Sequence, residues 1–282
     1  MQSVTVRAPA STSNLGPGFD CLGLALRLYN DVTVQTGGAP SLAPMMQKAG
    51  DRFFAQTKRK PIPFSCQVSG DVPVARGLGS SVTVRLGVLH GLNELAGRPL
   101  SRDDIFSLCS ELEGHPDNAA PGEFGGFNIV SGIRRQRFPV AATLKFILLV
   151  PDFEVQTAEA RALLPKQIER IGAVESCANA CAITAAFASG DYAQLHGAFG
   201  DHLHQPYRKR MLPFFDQAVF AAERAGALGS FISGSGSAIA AVTFVAPEKI
   251  AAALQAVVPT ARVIVTTADN RGARIIPVSL KA

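Results

Sequence analysis

The sequence predicts an α+β fold, and three observations lead there. Strand-like runs and amphipathic helical stretches are mixed without the strict strand–helix alternation that builds a doubly wound parallel sheet. The chain is 47% hydrophobic and 17% charged, a balance that buries a core instead of leaving the chain disordered. Its 282 residues are long for one compact domain and comfortable for two.

The elements follow in order. Val4-Thr5-Val6 and Val32-Thr33-Val34 alternate as strands do. Between them, residues 9–20 are too rich in turn formers for a helix until Cys21. Residues 37–63 fit a short helix and a loop, and Phe64 to Val68 a strand. The clearest helix starts at Ser80 or Ser81, with Val82, Leu86, Leu89, Leu92 and Ala96 on one face and Gly97 as its stop. A second helix has Ser101 as N-cap, Asp103 and Asp104 in the positive first turn, and Gly114 as terminator. Phe146 to Val150 is a continuous apolar run and reads as a buried strand. The boundary is set just past Pro151, giving domains 1–152 and 153–282. Helices follow up to Leu164, from Val174 to Ser189 and from Phe214 to Ala225, then a strand over 238–245. Pro247 opens a helix to Val257. Val263-Ile264-Val265 and Arg274-Ile275-Ile276 read as closing strands.

No apolar run reaches the ~20 residues of a membrane span, and the opening residues lack the layout of a secretory signal. The expectation is a cytoplasmic protein with no membrane partner. Five scattered cysteines without a CxxC pair read as reduced thiols. The net charge of +5 comes with basic clusters at 58–60, 134–137 and 208–210. Aromatic residues do not interleave with them and Trp is absent, so a site for anionic small molecules is favoured over nucleic acid.

The chemistry is concentrated in Gly77-Leu78-Gly79-Ser80-Ser81, which runs straight into the amphipathic helix. Glycines let a phosphate approach the backbone, turn amides converge on its oxygens, and a helix N-terminus adds positive potential. Neither a Walker A loop nor G-x-G-x-x-G fits this spacing. Ser80 and Ser81 are placed to cap the helix or to bind phosphate or a cation.

Three segments, taken together and in order, resemble the signature motifs of the GHMP kinases: residues 9–20, 73–81 (PVARGLGSS) and 232–237 (ISGSGS). Asn14-Leu15-Gly16-Pro17-Gly18-Phe19-Asp20 and Glu113-Gly114-His115-Pro116-Asp117-Asn118, followed by Gly125-Gly126, resemble the homoserine kinase branch of that family. The resemblance implies a two-domain fold, an S5-like N-terminal ATP-binding domain and a ferredoxin-like C-terminal domain, with the site between them. It implies ATP with Mg2+ as cofactors, homoserine as small-molecule substrate, and O-phosphohomoserine as product. Pro73, Arg76, Gly77, Leu78, Gly79, Ser80 and Ser81 would hold the nucleotide. Ser81 and either Glu111 or Glu113 would hold the metal, since two residues apart on a helix both glutamates cannot face one site.

For the substrate, Thr157-Ala158-Glu159-Ala160-Arg161 and His204-Gln205-Pro206-Tyr207-Arg208 resemble family elements. Thr157 would line the site, and Arg161 and Arg208 would clamp the carboxylate, as bidentate guanidiniums do. Asn14, Asp20, His115 and Asp117 supply acceptors, while Asp20 and Asn118 would orient the hydroxyl without a strong base. His202 and His204 read as structural. The chain departs from the family pattern at Val82-Thr83-Val84-Arg85, where small residues usually follow the phosphate loop, and at Ser237, where proline is usual. A homodimer is expected from the family only. The competing readings are a GHMP kinase for another alcohol, a non-catalytic ligand sensor of the same fold, and a basic nucleic-acid binder.

Overall fold

The computed structural model describes residues 2–37, 42–132 and 134–277. Strands β1 (Ser3–Asn14) and β2 (Gly18–Thr36) form a long antiparallel pair, with register shifts at Pro9/Ala10 and Ser13/Asn14. Helix α1 (Pro44–Thr57) falls in the stretch where a short helix was expected, and 38–41 of that stretch lie outside the described residues. Then come β3 (Phe64–Gly70), α2 (Ser80–Leu95), α3 (Arg102–Glu113), α4 (Ala119–Phe124), β4 (Phe127–Ser131) and β5 (Arg134–Phe138). The second half holds β6 (Lys145–Val150), α5 (Thr157–Ala162), α6 (Arg170–Ser189), α7 (Gln205–Arg208), α8 (Phe215–Arg224), β7 (Gly229–Ile232), β8 (Ile239–Thr243), α9 (Pro247–Val257), β9 (Arg262–Thr267) and β10 (Arg274–Ile276).

Residues 9–20 hold no helix, as their turn formers suggested, but most of them are strand, and β2 runs on through Cys21, so no helix begins there either. The strand continues to Asn14, a tight turn spans 15–17, and β2 begins at Gly18. From Ala8 onward β1 is buried on both faces, which demands small side chains. The hydroxyls that would oppose burial are satisfied: Thr12 bonds Ser233, Ser11 donates to Asn118, and Ser13 accepts from Asn118.

One sheet runs β10-β1-β2-β4-β5, with β3 also on β2, and the other runs β7-β8-β6-β9. Sheet membership does not divide at the expected 152/153 boundary. β6 lies before it but belongs to the second sheet, and β10 returns from the C-terminal side to pair with β1. Strand β6 explains its own apolar run. Phe146, Leu148 and Val150 pack into the core shared with Leu22, Leu24 and Leu26 of β2. Ile147 and Leu149 pack on the opposite face against α8 and α9, with Ala218, Ala222, Ile250 and Leu254. The two halves therefore share one continuous apolar body. On the far side of the first sheet, α2 sits with α1 and α3 over Val32 and Val34.

The predicted capping of α3 is present in full: Asp104 N donates to the Ser101 hydroxyl, and the Asp104 carboxylate accepts from Ser101 N. Helix α6 has the length and hydropathy of a membrane span, although Arg170, Glu175 and Asn179 interrupt it. Its inner face docks on the core, where Phe187 stacks on Phe127 with ring centroids 4.2 Å apart.

Candidate active site

The loop before α2 is held so that only its amides are free. The carbonyls of Arg76, Gly77 and Leu78 all turn inward, accepting from Ala238 N, the Ser233 hydroxyl and Ser11 N. Gly77 and Gly79 have φ of 76° and 67°, a region that costs a side chain ~1–2 kcal/mol. A Cβ on Gly77 would stand 1.9 Å from the Ser233 carbonyl oxygen, and one on Gly79 would stand 2.2 Å from Ser11 Oγ. Gly79 is the N-cap of α2 and no side chain caps the helix, so neither Ser80 nor Ser81 plays that expected part. The first-turn N–H groups of a 16-residue helix are left open to a ligand.

They open onto a cavity of about 400 Å³ lined by residues 74–82, Val84, Glu113, His115, Asn118, Thr157, Gly234 and Ser235, among others. Residues from both halves thus share one cleft. Pro73 is absent from that lining and helps line a neighbouring cavity. Arg76, expected at the phosphates, instead braces the loop. Its Nε donates to the Pro151 carbonyl (2.9 Å), its Nη1 to the Val74 carbonyl (3.0 Å), and Glu154 lies 3.4 Å away.

At the cation side the two glutamates separate. Glu113 Oε2 accepts from Ser81 Oγ at 3.0 Å, while Glu111 is 60% exposed and pairs with Arg52. The other Glu113 oxygen, Oε1, is in ion contact with Arg85 yet accepts no directed hydrogen bond. A hydroxyl and a carboxylate beside a helix N-terminus whose amides are open to a ligand fit a hard cation that takes its other ligands from an anion and water. Among the described residues no larger cluster of metal-ligating side chains occurs.

Asn118 is fixed from two sides. Its Oδ1 accepts from Ser11 Oγ (2.8 Å) and its Nδ2 donates to Ser13 Oγ (2.9 Å). Sequence reasoning had no view of either serine, whose role appears only once β1 is seen as a strand. Asp117 is buried; burial would raise its carboxyl, but His115 and the other donors outweigh this and hold it below the usual range. His115 Nδ1 lies 3.0 Å from Asp117 Oδ1, and that hydrogen bond raises the imidazole above its ordinary value.

Arg208, Thr157 and Asn14 meet the third glycine-rich segment, while Arg161 and Asp20 pair with each other; of these five only Thr157 lines the cavity of about 400 Å³, and Asp20 lines another together with His115. Arg208 is 3% exposed; its Nη1 donates to the Gly234 carbonyl (3.0 Å) and to His204 Nδ1 (3.3 Å). Burial, then the charge of Arg161, brings its guanidinium down to about 10, so it stays charged at neutral pH. Arg161 clasps Asp20 through both carboxylate oxygens, at 2.7 and 3.0 Å. Phe19 lies between the two guanidiniums, its ring centroid 5.5 Å from Arg161 Cζ and 5.2 Å from Arg208 Cζ. Thr157, one turn before Arg161 on α5, bonds Ser235 Oγ at 2.9 Å. Asn14, expected to meet substrate, is spent on the fold: it donates to the Gly234 carbonyl and accepts from Asp20 N. His204 is structural, as expected. Its Nε2 donates to the Gly16 carbonyl at 2.8 Å, which leaves Nδ1 to accept from Arg208. Burial brings its pKa down to about 4.

The GHMP kinase N-terminal domain model matches residues 45–126, and the GHMP kinase C-terminal model matches 182–260. The chain belongs to the GHMP kinase family. Among its relatives is the homoserine kinase of Caldicellulosiruptor bescii, 36% identical over 98% of this chain and 97% of that protein. The homoserine kinase of a Synechocystis species is 37% identical over 86% of each. The crystal structure of homoserine kinase from Cytophaga hutchinsonii superposes with a TM-score of 0.89 at 28% identity, covering 98% of both chains. Mevalonate kinase of Methanococcus jannaschii shares the fold at a TM-score of 0.72 and 13% identity, over 95% of this chain and 99% of that one.

Proposed function

We propose that the chain transfers the γ-phosphoryl group of ATP to the hydroxyl of L-homoserine, releasing O-phospho-L-homoserine and ADP, a step of threonine biosynthesis. The reading is supported by the homoserine kinase relatives, which match it nearly end to end. The observation that carries it is a buried, charged Arg208 anchored to Gly234, which lines the same cavity as the phosphate loop. An uncharged sugar could accept the same transfer, but it brings no anion to a buried guanidinium, whereas the homoserine carboxylate does.

The loop amides of 77–81 hold the phosphates, and phosphoryl transfer asks the protein chiefly for position and charge. Ser81 and Glu113 would hold Mg2+, which neutralises charge on the phosphate oxygens when bound. Arg208 takes the substrate carboxylate. Arg161 holds Asp20 and so sets where that carboxylate stands. Asn118, fixed by Ser11 and Ser13, and Asp20 orient the hydroxyl, whose proton leaves to a phosphate oxygen or to water. His115, whose imidazole the hydrogen bond to Asp117 holds above its ordinary value, stands on the cavity wall.

A coupled ADP-release assay with L-homoserine, L-threonine, L-serine and mevalonate tests the assignment. Homoserine should give the highest kcat/KM; a preference for mevalonate would refute it.

A further inference from the structure

Arg85 has no part in the mechanism above, yet it reaches the site. Arg85 lies one turn after Ser81 on α2 and makes its ion contact with Glu113, the last residue of α3. The guanidinium is 18% exposed and the carboxylate 9%, so solvent screens the pair little. The contact is one of charge more than of directed bonding. Arg85 Nε and Glu113 Oε1 are both buried without a hydrogen-bond partner. The other oxygen of Glu113 faces Ser81. One further ionisable group faces the pair, the thiol of Cys109, which burial drives well up; Glu123, engaged by His90 and Arg102, in turn acts on Cys109.

We propose that Arg85 is an internal counter-ion that competes with the divalent cation for Glu113. The proposal rests on the reading of Ser81 and Glu113 as the metal's protein ligands. The physical reason is symmetrical. A carboxylate this buried is costly without a positive partner. With no cation bound, Arg85 supplies that partner and holds Glu113 in place. When a cation arrives with the nucleotide, two positive charges meet at one carboxylate, and the guanidinium must release Oε1 or tolerate the repulsion. An apolar residue at this position would leave the carboxylate free for the cation alone. This chain therefore binds its cation more weakly than its own Arg85→Leu variant would, and the loss of apo-state stability in that variant is the other face of the same exchange.

The test uses Mn2+ as the probe. Binding to the full chain is followed by the loss of the free-ion EPR signal, in the presence of a β,γ-methylene analogue of ATP. Wild type, Arg85→Leu, Glu113→Gln and the double variant are compared. Arg85→Leu should tighten Mn2+ about tenfold, Glu113→Gln should weaken it, and in the double variant the Arg85 substitution should add nothing to the effect of Glu113→Gln. Equal or weaker Mn2+ binding by Arg85→Leu, while Glu113→Gln still weakens it, overturns the competition. Mn2+ binding indifferent to Glu113 overturns the metal-ligand reading itself. If Arg85→Leu does not fold, Arg85→Gln, which keeps the polar stem without the charge, decides between the same outcomes.

Discussion

Replacing Arg208 by lysine separates what its charge does from what its shape does. Burial brings this guanidinium down to about 10. The same surroundings acting on an ammonium, ordinarily near ~10.4, would bring it to about 8. Lysine also cannot reproduce the fork that meets Gly234, His204 and a carboxylate together. A lost hydrogen bond to a charged group is worth about 1.5–3 kcal/mol, so KM for homoserine should rise roughly ten- to hundredfold at pH 7. The distinguishing result is the pH dependence. In the wild type KM for homoserine should be level from pH 7 to 9, because Arg208 keeps its proton. In Arg208→Lys it should climb further above about pH 8, as the ammonium deprotonates, while KM for ATP stays within about twofold of wild type. Steady-state kinetics at fixed saturating ATP across that range measure this. Parallel profiles for the two proteins, or a defect confined to ATP, would refute the role given to Arg208.

Three further outcomes follow from the same geometry. Gly77→Ala drives a methyl group into the Ser233 carbonyl at a left-handed position, so KM for ATP should rise at least about tenfold and stability should fall by about 1–2 kcal/mol from strain alone; unchanged ATP kinetics would free this loop from its role. Asn118→Leu should lower kcat far more than it weakens ATP binding measured by calorimetry, and wild-type turnover would remove Asn118 from the mechanism. His204 titrates near 4 when folded and near 6.5 when unfolded, so the unfolded chain binds its proton first; its contribution is complete above pH 6.5 and is lost as pH falls toward 4, about 3 kcal/mol in all at ~1.4 kcal/mol per unit. Urea unfolding at pH 7 and 4.5 should show that loss, and His204→Gln should flatten it.

Much of this was legible in the sequence where local chemistry decides the structure. The glycine turn before α2, α2 itself, the Ser101 cap of α3 and the start of α9 at Pro247 each depend on a few neighbouring residues. What stayed hidden depends on residues far apart in the chain. Composition marked 9–20 only as non-helical, because nothing local says that Ser11 and Ser13 will be buried against Asn118 and Thr12 against Ser233. Arg76 has the type and position of a phosphate ligand, yet its reach to Pro151 and Val74 turns it into a brace. The choice between Glu111 and Glu113 is a matter of helix phase relative to Ser81, which spacing alone leaves open. Asn14 and Asp20 sit in the motif as expected, but their partners, Gly234 and Arg161, come from the other half of the chain.

Whether this cleft joins phosphate to an amino-acid hydroxyl decides everything else. Incubation of the purified chain with ATP, Mg2+ and 13C-labelled L-homoserine, followed by 31P and 13C NMR, reads the new bond directly. The expected product is a phosphomonoester coupled to the terminal carbon of homoserine, formed in step with ADP. ADP appearing with free phosphate and unchanged homoserine, or bound homoserine with no ester at all, would contradict it.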